Sequence, residues 1–308
     1  MLRVTPRVYQ RVTGAALAAL VFIVVTGAAV RLTGSGLGCP DWPTCNQGRI
    51  VAPLEYHAMV EFVNRTVTGA VSIAVIVAVL GAFWRVPRRA DLVWLSLGLV
   101  AGVAAQVVLG GLTVLFHLAP PIVMGHFLLS MVLIANAVAL HERAARPDGA
   151  VARSRAPAAI RAMAGSLVGG ATVVLVTGTV VTASGPHGGD TEAARLDFFV
   201  PDVARVHGAS VVVFLAITIA TLLASRRVAA PTVARRGTTL LVVVVAQAAV
   251  GYTQYFTGVP VLLVGVHVAG AVAVWIASLR FFLGTREHVP PSLEHLSRAP
   301  ERLPVGTP

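Results

Sequence analysis

The sequence predicts an all-α, polytopic membrane protein, with eight transmembrane helices in two pseudo-symmetric four-helix bundles arranged as parallel repeats. Three observations predict it. Only 12% of the 308 residues are charged, about half the roughly 25% of a soluble domain and too little to cover a water-facing surface. The apolar residues fall into eight runs, each near the roughly 20 residues that a lipid span requires. Short motifs then recur between the first four runs and the last four.

The runs place helices at 13–31, 58–83, 92–116, 121–141, 162–183, 203–224, 237–257 and 261–283. Backbone polar groups in lipid must be satisfied within the segment, which makes these runs helices. The first is too long for a signal peptide, and no small-residue cleavage site follows it. The expected organisation is an N-terminal bundle over 1–141, a linker over 142–161, a C-terminal bundle over 162–283 and a polar, Pro-rich disordered tail over 284–308.

The net charge of +11 is carried without a single lysine. Strong basicity can signal nucleic acid. Here the arginines sit in short clusters between apolar runs, as membrane topology dictates, and the reading is no nucleic acid partner. Arg3, Arg7 and Arg11; Arg85, Arg88 and Arg89; the linker arginines; Arg226, Arg227, Arg235 and Arg236; and the tail arginines share one side. That side is expected to be cytoplasmic, with both termini there, in the cell membrane. Loops 32–57 and 184–202 and turns near Pro120 and Pro260 then face outward.

The repeat is explicit. Val25-Thr26-Gly27 corresponds to Val176-Thr177-Gly178, and Ala105-Gln106 with Gly110 corresponds to Ala246-Gln247 with Gly251. Four helices per half is an even number, so both halves enter from the same side.

Ionisable groups within spans are costly and mark function. Glu61, His126, His207 and His267 each fall within about two turns of the outer start of an even-numbered helix, hence at one depth. His207 and His267, on facing helices, suit axial ligation of one haem. The alternative for any single histidine is an interhelical hydrogen bond. In the first half His126 is present, but Asn64 takes the place of His207. His57, Glu61 and Asn64 share a helix face. One imidazole, one carboxylate and one amide leave room for a substrate or an acid–base step. An ion pair with Arg65 is the other reading of Glu61. Arg65 and Arg205 are candidates for pairing with propionates, or for interfacial snorkelling.

Cys39 and Cys45 lie in one outer loop, Gly38-Cys39-Pro40-Asp41-Trp42-Pro43-Thr44-Cys45. In an oxidising compartment a disulfide is expected; a redox-active pair is the sharper alternative. Closing so short a loop contributes about 2 kcal/mol through chain entropy.

The run from Arg31 to Pro43 resembles the first outer loop of haem A synthases. So do Glu61 with Arg65, His126 before Phe127, His207, and His267 in Gly265-Val266-His267. The resemblance implies oxidation of a methyl group of the substrate haem O to a formyl group, giving haem A for cytochrome oxidase. It implies a haem b cofactor with His207 and His267 as its axial iron ligands. It implies a substrate-haem site in the first half, where His126 and Glu61 match the family's helix 4 histidine and helix 2 glutamate; Glu61 is the catalytic candidate, and from the residues themselves Asn64 and Arg65 are candidates at that site and Arg205 for a propionate. It matches Cys39 and Cys45 to a loop cysteine pair. Haem O synthase, cytochrome oxidase assembly factors and membrane lipid are the implied partners, with a homo-oligomer left open. The sequence departs from the family at Asn64, where a histidine is expected. Two rival readings are a bis-histidine cytochrome in quinone-linked electron transfer and a parallel-repeat transporter.

Overall fold

The computed structural model describes residues 3–154, 156–228 and 231–289. Among them eight long helices run in order: α1 (Pro6–Leu32), α2 (Tyr56–Trp84), α3 (Ala90–Leu115), α4 (Pro120–Ala144), α5 (Ala158–Ser184), α6 (Val200–Arg226), α7 (Pro231–Phe256) and α8 (Val261–Gly284). The most apolar stretch of each has a mean hydropathy of 1.4 to 2.3. That is long and apolar enough to cross a bilayer, and the chain is a multi-pass membrane protein.

The helices outrun their apolar cores. α1 begins at Pro6 rather than near residue 13. Its first turn is set by local chemistry: the Thr5 hydroxyl accepts the Val8 N–H, and Pro6 supplies a preset φ where its missing N–H costs nothing. Tyr9, fully buried, lies against Gly81 of α2. Hydropathy could not mark this turn, because Arg7, Gln10 and Arg11 interrupt its apolar run.

Within residues 6–144, α1 packs on α2, α2 on α3, α3 on α4, and α4 back on α1. Residues 158–284 repeat the ring: α5 on α6, α6 on α7, α7 on α8, α8 back on α5. α2 and α4 are therefore diagonal partners in one ring, and α6 and α8 in the other. Between the rings, α8 touches α1 and α4, and α4 touches α5.

Lipid offers no hydrophobic drive between helices, so close packing and polar contacts hold them together. Trp275 Nε1 on α8 donates to the Met131 carbonyl on α4 at 2.8 Å. At the arginine-rich end, Glu142 of α4 accepts from Arg236 of α7 at 3.0 Å and Arg280 of α8 at 2.8 Å. Arg85, at the foot of α2 and fully buried, pairs with Asp148 of the linker at 2.6 Å.

The linker and tail depart from expectation. Residues 151–154 form β1 and residues 286–289 form β2, an antiparallel pair with Val151 opposite Val289. The expected disorder therefore does not hold for 286–289. A four-residue backbone ladder needs no hydrophobic pattern, and composition alone had nothing to detect there. The remainder of the expected tail, 290–308, lies outside the described residues.

Candidate functional site

The sequence singled out one end of the helix assembly, and the structure brings its residues to a common level there. Glu61, Asn64, His126, His207 and His267 lie between five and eight residues into α2, α4, α6 and α8, roughly 8–12 Å below the helix starts at 1.5 Å per residue.

His207 and His267 meet across the diagonal of the second ring. Their ring centroids are 6.4 Å apart, with planes at 73°. An iron held between two imidazole nitrogens, each at a bond of about 2 Å, separates the centroids by about 6 Å. The separation of the pair thus matches that of two imidazoles sharing one haem iron. Four residues seat the two histidines. The Thr177 hydroxyl lies 3.1 Å from His207 Nδ1, which directs that nitrogen outward and leaves Nε2 for a metal. Gly178 and Gly251 make room: a Cβ there would stand 3.1 Å from His207 Cε1 and 2.9 Å from His267 Cε1. Gln247 of α7 donates to the His267 carbonyl at 2.8 Å.

The first ring repeats half of this arrangement. Gln106 donates to the His126 carbonyl at 3.1 Å, and also to Ser130 Oγ at 2.6 Å. Gly110 backs His126 as Gly251 backs His267. The other half is missing. Gly27, the counterpart of Gly178, would meet nothing within 4 Å if given a Cβ. Thr26, the counterpart of Thr177, bonds only its own helix at Ile23. Asn64 Oδ1 and His126 Nδ1 are buried with no hydrogen-bond partner. Buried polar groups left unpaired are rare and call for a reason.

Glu61 and Arg65 show the ion-pair alternative. Glu61 is only 6% exposed. Its Oε1 accepts from Arg65 at 2.5 Å, and its Oε2 accepts the Cys39 N–H at 2.8 Å. Arg65 spends its remaining donors on the carbonyls of Cys39, Asp41 and Thr44, at 2.9–3.2 Å. Its guanidinium is turned to the loop and to Glu61.

That loop is stapled and seated over the first ring. Cys39 and Cys45 are bridged, their Cα atoms 4.3 Å apart, and both are buried. The Trp42 ring lies on Gly111 of α3, where a Cβ would come within 2.6 Å of it. Gly38 lies against the His57 carbonyl, too close for any side chain. His57 Nδ1 pairs with Ser35 Oγ at 2.9 Å, which commits this histidine to the loop.

Arg205 does not join His207. It lies two positions before it, which on a helix points elsewhere. Its side chain is 75% exposed and paired with Asp202 at 2.6 Å. His187 bonds the Val259 carbonyl at 3.0 Å and ties loop 185–199 to the α7–α8 turn. Sequence reasoning missed the second-tier groups Thr177, Gln106, Gln247 and Ser130. The repeated motifs containing three of them were visible, but not what those motifs hold.

Comparison with known proteins adds a family. A family model described as cytochrome oxidase assembly protein, COX15-CtaA, matches residues 10–58 and 51–186, more than half of the chain. The match contains Glu61, Asn64 and His126 and ends before His207. Proteins named haem A synthase are similar over shorter stretches. The one from Lysinibacillus sphaericus is 31% identical over 127 residues, 41% of each chain. That from Bacillus licheniformis is 29% identical over 123 residues, 40% of each chain. That from Shewanella oneidensis is 30% identical over 155 residues, 42% of this chain and 43% of its own. The alignments thus span about two fifths of the length of these curated relatives.

Proposed function

The chain belongs to the COX15-CtaA family of cytochrome oxidase assembly proteins, and from that premise we propose that it is a haem A synthase, oxidising a methyl group of haem O to the formyl group of haem A. The observation that carries this reading is the inequality of the two rings. One offers two imidazoles at iron-spanning distance. The other offers one imidazole opposite an amide, beside a carboxylate. A closed site suits a resident electron carrier, and an open one suits a substrate.

In this reading His207 and His267 hold a haem b, and Thr177 fixes the tautomer of His207. A haem held so supplies one-electron transfer and no chemistry of its own at the substrate. His126 takes the substrate's iron from one side, where Gln106 and Gly110 hold its backbone and ring in place. Asn64 leaves the opposite face without an imidazole. Glu61, one turn before Asn64, is the proton-handling group, with Arg65 keeping its carboxylate in register and the stapled loop excluding water. The arginine asymmetry supports termini on the cytoplasmic side of the cell membrane.

A quinone-linked bis-histidine cytochrome would want a second closed pair, and Asn64 does not supply it. A transporter of parallel repeats would place its polar groups near mid-membrane, whereas these gather near one end.

The test is pigment analysis after co-expression with a source of haem O. Haem A should appear. Haem O accumulating without haem A, in protein that retains haem b, rejects the proposal.

A further inference from the structure

Two arginines at the loop end have no acidic partner among the described residues. Arg31 closes the last turn of α1, and Arg195 lies in the loop between α5 and α6. They converge on one dipeptide. Gly189 lies against the Arg31 stem, 3.3 Å from Cγ measured from an added Cβ, and the Arg195 guanidinium covers Gly188 so closely that no side chain fits there. Both side chains thus touch the same Gly188-Gly189 pair. Among the described residues no carboxylate lies within 4.0 Å of either guanidinium. Asp190 is close in sequence, but its Oδ1 accepts the Glu192 N–H at 2.9 Å. Arg65 and Arg205, by contrast, are both ion-paired.

Arg31 is half-buried and Arg195 is exposed; two like charges gathered at one dipeptide are relieved when an anion joins them. Their location identifies that anion. The loop carrying Arg195 leads directly into α6 and is pinned by His187 to the α7–α8 turn. It therefore covers the end of the ring that holds His207 and His267. Arg31 reaches the same place from α1, whose next residue, Leu32, packs at Gly265, two residues before His267. The Gly36 N–H donates to the Gly189 carbonyl at 2.7 Å, which fixes the two loops to each other.

We propose that Arg31 and Arg195 form a carboxylate clamp that receives the two propionates of the haem held by His207 and His267. The proposal rests on the haem-binding reading above. A planar guanidinium accepts a carboxylate through two parallel hydrogen bonds, and two guanidiniums match two propionates. The clamp also explains why a loop of the second half is tied to the end of α1: the haem would bridge both.

The test uses the full-length chain, purified in detergent with its haem. Release of haem to excess apomyoglobin is followed by absorbance. Arg31→Gln with Arg195→Gln should release haem roughly 10- to 100-fold faster, the loss expected for charge-assisted hydrogen bonds. Arg49→Gln, in an exposed part of the first loop, should leave the rate unchanged. Arg31→Lys with Arg195→Lys should fall between, which separates lost charge from lost fold. As a second reading, wild type stripped of haem should prefer haemin over haemin dimethyl ester by about tenfold or more, and the double Gln variant should bind both alike. Wild-type release and discrimination in the Gln variant would overturn the clamp, as would an unchanged haem content accompanied by loss of a co-purifying anionic phospholipid. Wild type purified with no haem at all would instead overturn the haem-binding reading, and the clamp with it.

Discussion

Thr177 Oγ1 stands 3.1 Å from His207 Nδ1, while Thr26, at the equivalent place in the first half, bonds only the Ile23 carbonyl. The two rings share a scaffold, but one of the four imidazole seats that the repeat provides is vacant of an imidazole. Gly27 faces open space where Gly178 faces a ring.

That asymmetry predicts opposite outcomes for one substitution. Gly178→Ala presses a methyl to 3.1 Å from His207 Cε1, and Gly251→Ala to 2.9 Å from His267 Cε1. Overpacking of this kind costs about 1–3 kcal/mol. Gly27→Ala meets nothing within 4 Å and should be neutral, or stabilising by up to about 1 kcal/mol from helix propensity. The measurement is haem content per protein by pyridine haemochrome, alongside thermal stability. Equal haem loss at Gly27 and Gly178 would contradict the assignment of the seats.

The histidines should separate binding from turnover. His207→Ala and His267→Ala should each abolish the Soret band of the purified protein, since one axial ligand remains without its partner. His126→Ala should keep that band and lose conversion of haem O. Reduced-minus-oxidised spectra and pigment extraction read both. A His126→Ala protein that loses the resident band would place the haem b site in the wrong half.

Asn64→His would restore the fourth imidazole. Opposite His126, it should close the first site and turn a substrate haem low-spin by electron paramagnetic resonance. Asn64→Ala should keep the high-spin signal. Activity rising in Asn64→His would show that the amide is a defect of this chain rather than its working arrangement.

Glu61 and Arg65 should act together on the loop. Removing one member of a buried pair leaves an uncompensated charge and costs about 3–5 kcal/mol. Arg65→Lys keeps the charge but cannot reach Glu61 and the carbonyls of Cys39, Asp41 and Thr44 at once. Hydrogen exchange at the Cys39 and Cys45 amides should accelerate strongly in Glu61→Gln and moderately in Arg65→Lys. Cys39→Ser should add an effect of about 2 kcal/mol for a loop this short. Exchange unchanged in Glu61→Gln would remove the carboxylate from any role in seating the loop.

Much of this was legible in the residues. Eight spans followed from hydropathy alone, because lipid leaves the backbone no alternative to the helix. The common depth of Glu61, His126, His207 and His267 followed from counting along the spans. What distance does to side chains was not legible. Arg65 and Arg205 look alike as candidates near the outer surface, yet one is half-buried among carbonyls and the other is exposed beside Asp202. Arg31 and Arg195 lie 164 positions apart in the chain by subtraction of their numbers, and no local pattern could have joined them. The Thr and Gln that support the histidines stood in plain view as repeated motifs, but a repeat shows only that two places are alike. Strands β1 and β2 were invisible for a simpler reason: four-residue ladders are written in backbone, not in composition.

The contacts from α4 to α8 and the pairing of β1 with β2 carry a consequence for connectivity. Trp275 grips the Met131 carbonyl, and Glu142 collects both Arg236 and Arg280. The bonds of Trp275 and Glu142 tie α4 to α7 and α8 without using residues 145–157. A chain nicked at Gly149, a turn glycine ahead of β1, should still migrate as one particle on native gels. Two fragments expressed from separate messages should find each other in the bilayer, and the peptide bond between them is a convenience of synthesis rather than a strut.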